Sequence, residues 1–544
     1  MASSIMEDIV GVGGQVWDSG TTVLLEETVI RDISPWKNDA GTGLQVADGA
    51  RLEVRKSLVD QASQTGILAL GVGTEVMVED TVVQETLPAG PNKLGLGIQV
   101  QPGATAEVLR CEFKECSVSS VSVLGQGATA SLSDCIIRDT AAKEPDAGTG
   151  RGIELQQEAS LVADAVLVES NRFEGIGVAD GSTADLSAMV VRSTIGGGPQ
   201  QVGRGLSVFG GGQATVTESV IAGNRDSGVF VMGAGSAVSL GGVLVADTLP
   251  NEVNGGGAGL IMSEGATLDV SDSWIRGNSG GGVSTQDSKT VLLMERTVVE
   301  DSLATWESEL GPEVFGRGID ASYGAWASVS GCLVQGNTEV GVYASGSGGT
   351  MDLAGSIVRD TLCHEAGLAG GGHGMGVVAM GGANTQVRYA LIQHNDTAGA
   401  ACHGQVTELG LGHVAILDTQ GGMSWYDDVA GTEQKQAFGD GAYAAEGCRM
   451  VVAASLLASN RRTGLYFLQS PGQVVGNLIH SNDFYGLAME ECADQVEWEE
   501  KGNYIVGNAS ALPPDKAAQV TTSTGGMAVP PAPEMIEIPS GTGE

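Results

Sequence analysis

The sequence predicts an all-β fold in which one chain winds into a solenoid of parallel β-coils. The main sign is a glycine that opens an apolar/polar alternation and recurs at intervals of 45 to 65 residues, with a second series of copies between the members of the first. Apolar positions recur with a period of two and the chain has 84 glycines, which excludes helical repeats. The first series is Gly43, Gly97, Gly152, Gly205, Gly259, Gly318, Gly376, Gly441 and Gly486, and the second is Gly66, Ser120, Gly175, Gly228, Gly282, Gly341, Gly399 and Gly464.

Residues 205–227 illustrate how one coil is built. Apolar and polar residues alternate from Gly205 to Val208, and a glycine turn follows at residues 210–212. A second alternation covers residues 214–218, a short third apolar piece covers 219–221, and residues 222–224 turn the chain into the next copy. Three short strands and three turns in this length are typical of one coil of a parallel β-helix.

Short and long coils alternate between about Gly43 and Gly441. Short coils end in an asparagine, as at Asn224, whereas most long coils end in an acid-hydroxyl pair such as Asp247-Thr248, which leads into an extra loop. The loops therefore emerge from one edge of the solenoid on every second coil. Because neighbouring strands stack about 4.8 Å apart, successive loops are expected about 10 Å apart along the axis.

Two recurring polar positions are interpreted as structural. Asparagine tolerates a left-handed backbone at a sharp turn, and its amide can hydrogen-bond to the coils above and below. A second column consists of small residues, which indicates packing. Its members are Ser57, Thr81, Cys111, Cys135, Ser219, Ser273, Thr297, Cys332, Ser356 and Ser455.

These elements make the chain similar to the right-handed parallel β-helix repeat family, the broad pectin-lyase-like superfold, over essentially its full length. The resemblance rests on motifs at residues 97–100, 103–108 and 392–395, which are like those of bacterial surface and secreted repeat proteins. It implies a single right-handed parallel β-helix of about 18 coils. It does not select a function, because lyases, hydrolases, epimerases, tailspikes and adhesins share this fold.

The expected organisation is one continuous solenoid. Residues 1–13 form an incomplete first coil, residues 14–509 form the β-helix, and residues 510–544 form an extended, proline-containing tail. Residues 1–13 lack the features of a signal peptide and of an end cap, so we expect a larger parent chain or a capping partner. No segment is long enough to form a transmembrane helix, and the expected location is extracellular or the cell surface.

The charge of the chain excludes some partners. It carries 27 basic and 66 acidic residues, for a net charge of −39. Such a surface repels nucleic acid and anionic lipid, so neither nucleic-acid binding nor membrane insertion is expected. Acidity attracts divalent cations, and Ca²⁺ is a candidate ligand, but no dense calcium-loop pattern occurs and no cofactor is predicted.

Cysteines and histidines give two further hypotheses. Cys111 and Cys135 occupy the same place in adjacent coils, at a separation that permits a disulfide, with two stacked thiols as the alternative. Five of the six histidines lie between His364 and His413. Their spacing matches no zinc motif, yet His364, His373 and His403 are candidate metal ligands if the loops bring them together.

No catalytic cluster is recognisable. The resemblance implies chemistry on one strand face with its flanking loops, but Gly372-His373-Gly374 occurs without the acidic motifs that accompany it in the polygalacturonase-like branch. Outward carboxylates Glu154 and Asp320 are six coils apart by count, so they cannot form the pair that glycoside hydrolysis needs.

A row of arginines precedes the repeat glycine in three copies, at Arg151, Arg204 and Arg317. One interpretation is a clamp on the loop through a carboxylate such as Glu313 or Asp146. The other is a glycan groove, in which these arginines act with Asp320, Tyr323 and Trp326.

Three functions remain open on this sequence. The first is a non-catalytic, extracytoplasmic scaffold or adhesin-like surface protein that binds a glycan or a cell-surface protein. The second is a protein that binds or degrades polysaccharide through its loop edge. The third is a component of a filament built from β-helices stacked end to end.

Overall fold

The computed structural model describes residues 2–36, 41–88, 94–142, 149–197, 202–251, 253, 255–304, 316–363, 373–421, 423–427, 433–437, 439–492, 494–498 and 502–508. Within these ranges the secondary structure consists of β-strands and turns, without an α-helix. The first of two compact units is made mainly of residues 1–269 and the second mainly of residues 270–544. No helix long and apolar enough to cross a membrane occurs among the described residues.

Each coil contributes one strand to each of three faces. Strands on the first face pair in parallel with those of the neighbouring coils. Among the described residues ten belong to the first unit and eight to the second, in agreement with the prediction of about 18 coils. In the first unit they are Val12–Val16, Thr42–Ala47, Thr65–Leu70, Leu96–Val100, Ser119–Leu124, Arg151–Gln156, Phe173–Val178, Gly203–Phe209, Ser227–Met232 and Ala258–Ser263. In the second unit they are Val283–Gln286, Ile319–Ser322, Val340–Ser345, Met375–Met380, Ala398–His403, Asp440–Ala445, Thr463–Leu468 and Tyr485–Glu490.

The second and third faces are also parallel. Strands of the second face are Arg51–Arg55, Glu75–Glu79, Thr105–Leu109, Thr129–Ser133, Ser160–Asp164, Thr183–Ser187, Gln213–Thr217, Ala237–Gly241, Thr267–Ser271, Val291–Glu295, Trp326–Ser330, Thr350–Ala354, Asn384–Arg388, Glu408–Gly412, Arg449–Ala453, Gly472–Val475 and Val496–Trp498. Strands of the third face are Leu58–Ala62, Val82–Gln84, Glu112–Lys114, Ile136–Arg138, Leu167–Glu169, Val190–Arg192, Val220–Ala222, Leu244–Ala246, Trp274–Arg276, Val298–Glu300, Leu333–Gln335, Ile357–Arg359, Leu391–Gln393, Ala415–Leu417, Leu456–Ala458, Leu478–His480 and Tyr504–Val506.

Two exceptions to the three-strand coil occur. The first coil has the strands Ala2–Met6 and Ile9–Val10, which pair with the long strand Thr22–Ser34. Later in the chain, Met423–Asp427 and Glu433–Ala437 form an antiparallel pair. The parallel, all-β solenoid predicted from the sequence is confirmed.

The asparagine column is a hydrogen-bonding ladder inside the coils. The amide oxygen of Asn224 accepts a hydrogen bond from the backbone N–H of Thr194 at 3.0 Å, and its amide nitrogen donates to the carbonyl of Val191 at 3.2 Å. Asn171 makes the same pair of contacts to the backbone of Thr140 and Ile137. The asparagine side chain of one coil thus forms hydrogen bonds with the backbone of the preceding coil. In that preceding coil, the hydroxyl residue of the acid-hydroxyl pair occupies the same column.

The repeat glycine is required by this ladder. A Cβ atom on Gly205 would lie 2.8 Å from Nδ2 of Asn224 and 2.6 Å from the carbonyl oxygen of Gly228. Contacts this short do not occur in folded proteins, so the side chain at this position must be absent for the asparagine to reach the backbone. The glycine period and the asparagine period are therefore two signs of one packing arrangement.

The small residues of the second column also form hydrogen bonds with the backbone, so their role is structural, as predicted. The Ser219 hydroxyl accepts from the N–H of Met189 at 2.9 Å and donates to the carbonyl of Thr217. Cys111 and Cys135 lie in this column as free, buried thiols, the alternative to a disulfide between them. Each thiol is directed to a backbone carbonyl, Leu109 at 3.3 Å and Ser133 at 3.1 Å, as the serine hydroxyls are.

The disulfide of the described chain joins Cys402 to Cys448, whose Cα atoms are 5.8 Å apart. Both residues are completely buried. Cys402 lies on a first-face strand and Cys448 lies in the turn before the second-face strand of the next coil. The bond therefore links two consecutive coils on either side of the insertion that holds the antiparallel pair.

Candidate functional site: the arginine clusters of the loop edge

The arginine row lies where the first face begins, next to the loops. Arg151 and Arg204 belong to first-face strands, and Arg317 lies two residues before the strand Ile319–Ser322. The loop carboxylates named as clamp candidates, Glu313 and Asp146, lie outside the described residues. Each arginine nevertheless has carboxylate partners within the described chain.

Arg151 is held between two glutamates. Its Nε lies 2.6 Å from Glu174 on the next coil, and its Nη1 lies 3.0 Å from Glu154 on the same strand. The guanidinium also lies 4.9 Å from the centre of the Phe173 ring. Glu174 is only 2% exposed, so this is a largely desolvated ion-pair cluster in which both charges of the glutamates act on one cation.

The surroundings of Glu154 shift its pKa. Burial raises the pKa of Glu154, the nearby Glu174 charge adds to this effect, and Arg151 opposes both. The amide of Gln156 donates to Glu154 at 2.8 Å. Glu154 and Glu174 are thus two carboxyl groups bridged by one arginine.

Gly177 makes room for this cluster. It is opposite Glu154 in the strand register, on the outward side of the first face. A Cβ atom at this position would lie 2.9 Å from Oε2 of Glu174 and 3.6 Å from Cδ of Arg151. Any larger residue would displace the glutamate from the arginine.

Arg204 and Arg317 repeat the arrangement with other partners. Nε of Arg204 lies 3.0 Å from Asp226 on the next coil, and its guanidinium lies 3.5 Å from the Phe230 ring centre. Nη1 of Arg317 lies 2.7 Å from Asp320, and its guanidinium lies 3.7 Å from the Tyr343 ring centre. A second carboxylate, Glu339, is 3.6 Å from Nε of Arg317.

A fourth cluster could not be recognised from the arginine row, because here the acidic residue comes first in the chain and the arginine lies on the next coil. Asp440 stands in the arginine column and Arg462 of the next coil makes a two-atom ion pair with it. The guanidinium lies 5.3 Å from the ring centre of Tyr466. In all four clusters an oppositely charged partner lies about 22 residues away in the sequence, on the next coil, and not in the loop.

Tyr323 and Trp326 do not join the arginine. They lie at the far end of the strand Ile319–Ser322 from Arg317, in the turn and at the start of the next strand. Tyr323 is 67% exposed and Trp326 is 40% exposed. Of the predicted groove residues, the structure thus brings Asp320 to Arg317 and leaves the two aromatic residues at another edge.

The histidines converge only in part. His364 lies outside the described residues. Burial lowers the pKa of His373 to about 4, with further contributions from the charges of Arg317 and His403. Nδ1 of His403 is 3.4 Å from Glu446. Within the described ranges, no group of three or more histidine, cysteine, aspartate or glutamate side chains is arranged to hold a metal ion.

Comparison with known proteins agrees with the coil architecture. A family model described as a right-handed β-helix region matches residues 92–245 and 188–358. The matched residues, 92–358, have the repeat of the right-handed β-helix family, and the chain has its parallel β-helix fold. No curated protein matches the sequence.

Two solved structures align with most of the chain at low similarity. The cryo-EM structure of the Vag8–C1 inhibitor complex has 13% identity and a TM-score of 0.47, with coverage of 92% of this chain and 100% of that chain. The crystal structure of the periplasmic alginate epimerase AlgG has 9% identity and a TM-score of 0.21, with coverage of 84% of this chain and 76% of that chain. Similarity this low transfers no activity to the present chain.

Proposed function

We propose that this protein is an extracytoplasmic β-helix that acts as a non-catalytic binding scaffold. The observation that carries the proposal is the state of the arginines at the loop edge. Arg151, Arg204 and Arg317 each pair with carboxylates of their own or the next coil and lie against an aromatic ring. Groups engaged in this way join coils to one another and do not present positive charge to a glycan.

The disulfide supports an extracytoplasmic location. Structural disulfides persist in oxidising compartments and are rare in the cytosol. The Cys402–Cys448 bond joins two coils at the interior of the β-helix, where it can act only as a structural link. A scaffold exposed outside the cell gains from such a link because it cannot rely on chaperones to refold it.

A second candidate function is supported by the Glu154–Glu174 pair. Glycoside hydrolysis uses two carboxyl groups, one of which has a raised pKa and donates a proton. Glu154 has a raised pKa and both carboxylates contact the same guanidinium. A polysaccharide-degrading protein would use this cluster, with Glu154 as the proton donor.

One experiment separates the two functions. The purified chain is screened against neutral and acidic polysaccharides, with and without calcium, and each binder is assayed for shorter chains and for the ultraviolet absorbance of unsaturated sugars. The scaffold proposal predicts no product with any of them. Product formation that Glu154→Gln abolishes, while Glu169→Gln on the third face leaves it unchanged, would replace the scaffold proposal with the enzymatic one.

A further inference from the structure

The turn between the second-face and third-face strands contributes one residue of each coil to a column along the molecule. In the second unit, five consecutive members are Gly331, Gly355, Tyr389, His413 and Ala454, all with a left-handed backbone of φ between 49° and 60°. The N–H of each member donates to a carbonyl of the following coil, so the members lie one above the other. Neighbouring members are about 4.8 Å apart.

Two aromatic rings stack in this column. Earlier in the same column, Asp272 and Arg296 of neighbouring coils form an ion pair. Tyr389 and His413 are joined by their rings instead, with ring centroids 4.9 Å apart and ring planes 8° apart. One face of the Tyr389 ring is therefore covered by His413, and the other face is turned toward the preceding coil.

The preceding coil leaves that second ring face open. Its member of the column is Gly355, and the member before it is Gly331, so two consecutive positions lack a side chain. The turn itself does not demand glycine, because Ala454 has a φ of 49° in the same column. Tyr389 is 58% exposed. A flat ring at the level of Gly355 would continue the stack, about 4.8 Å from the ring of Tyr389.

Hydrogen-bonding groups lie beside this open position. Arg388 directly precedes Tyr389, is opposite Ala354 in the strand register, and forms an ion pair at 2.7 Å with Asp352 of the preceding coil. Nη2 of Arg388 donates to both carboxylate oxygens. Its Nε and Nη1 make no hydrogen bond within the described part of the chain and can donate to a ligand. The open position is thus bordered by an aromatic face and by polar groups whose charges balance.

Charge narrows the choice of ligand. The chain has a net charge of −39, which opposes the binding of nucleotides and of polymers of uronic acids. An uncharged pyranose ring avoids this repulsion. Its C–H bonds give it apolar faces, and its hydroxyl groups lie at its rim. Such a ring can stack on Tyr389 while its hydroxyl groups reach Arg388 and Asp352.

We propose that Tyr389, stacked on His413, is a binding platform for one pyranose unit of an uncharged glycan, which takes the place of the missing side chain at Gly355. This inference rests on the proposed scaffold function and names a ligand class and a surface for it. The platform lies on the turn between the second and third faces, whereas the arginine clusters lie where the first face begins.

The probes are neutral hexasaccharides of β-linked glucose and of β-linked galactose, titrated into the whole chain by isothermal titration calorimetry. Because one ring stack and a few hydrogen bonds hold the sugar, we expect a Kd of about 1 mM for at least one probe. Hexagalacturonate is the charged counterpart. Binding of none of the neutral probes, or tighter binding of hexagalacturonate, overturns the proposal.

Three variants test the platform and a fourth is the control. Tyr389→Ala removes the ring and Tyr389→Phe keeps it. Gly355→Asn fills the open position without touching the rings, and asparagine tolerates the left-handed backbone there. Phe484→Ala is the matched control, since Phe484 is 51% exposed and its ring is tilted by 52° from that of Tyr485 and not stacked on it. Circular dichroism and melting curves establish that each variant is folded.

The proposal predicts that the Kd of the bound probe rises about tenfold in Tyr389→Ala and in Gly355→Asn, and changes less than about twofold in Tyr389→Phe and Phe484→Ala. Unchanged binding in Tyr389→Ala overturns it, as does equal weakening in Phe484→Ala. Unchanged binding in a folded Gly355→Asn also overturns it, because the sugar would then lie elsewhere. Cleavage of a probe would end the scaffold proposal, whereas the dependence of binding on Tyr389 decides the present one, which keeps the two failures distinguishable.

Discussion

The third face is built alike in two parts of the molecule but has a different outer surface in each. From Leu58 to Arg192 its second outward position is mostly charged, with Asp60, Lys114, Arg138, Glu169 and Arg192. From Leu391 to Val506 neither outward position is charged. The inward residues and the ladders are of the same kind in both. Interior columns therefore set the fold, while the outer residues are free to vary.

In the part from Leu58 to Arg192, acidic and basic outward side chains form ion pairs with one another. Arg138 pairs with Glu112 at 2.7 Å and Arg192 pairs with Glu169 at 2.7 Å, in each case across neighbouring coils. These side chains are in contact with water, so each pair contributes little to stability. A surface of this kind favours solubility and resists association. The outward positions from Leu391 to Val506 contain no Asp, Glu, Lys or Arg that could form such pairs.

The largest effect is expected where the two parts are alike. Gly66 lies in a coil of the charged part, and Gly464 lies in a coil of the part with uncharged outward positions. Each is replaced by alanine. The added methyl would lie 2.7 Å from Val83 in the first case and 2.5 Å from Ile479 in the second. Each variant should lose about 3 kcal/mol of unfolding free energy in urea titrations. A variant that is tolerated in one part only would show that the interiors differ.

Loss of the ladder should cost somewhat less. Asn171→Ala and Asn482→Ala each remove an acceptor for a backbone N–H and a donor to a backbone carbonyl. Because the freed groups stay buried, we expect a loss of about 2 kcal/mol in each part. Asn482→Asp keeps the acceptor and is the control for the donor. Melting temperatures unchanged by either alanine would contradict the structural role of the ladder.

Glu154 is a largely buried carboxyl group, whereas the charged side chains of the third face are in contact with water. Its pKa is raised above the ordinary 4.5, so its contribution to stability is fully present below that value and is lost as the pH rises through the higher folded value. The melting temperature of the parent chain minus that of Glu154→Gln should therefore fall by a few degrees as the pH rises from 4 to 7. Asp272→Asn is the control of opposite sign, since Arg296 lowers the pKa of Asp272. A pH-independent difference for Glu154→Gln would refute the raised pKa.

The smallest effect is expected on the charged part itself. Arg192→Gln breaks the exposed pair with Glu169 and should cost about 0.5 kcal/mol at low salt. Screening at 1 M salt should remove most of that difference. Denaturant titrations at both salt concentrations measure it. A loss of several kcal/mol would mean that the outer residues support the fold, which would contradict the conclusion that the interior columns set it.

The sequence predicted the features that repeat in every coil. Asn224, the repeat glycines and the small column follow a strict period, and each position has one physical requirement. The arginine partners were missed because Glu174 and Asp226 come from the next coil, so they are distant in sequence and adjacent only in the strand register. The Cys402–Cys448 bond was missed for a related reason, since the insertion between these coils disrupts the spacing that revealed other stacked cysteines.

The most direct test of the scaffold proposal is the screen of the purified chain against neutral and acidic polysaccharides. We expect neither shorter chains nor unsaturated sugars with any of them, because the arginines of the loop edge are paired within the protein. Product formation that Glu154→Gln abolishes would contradict the proposal.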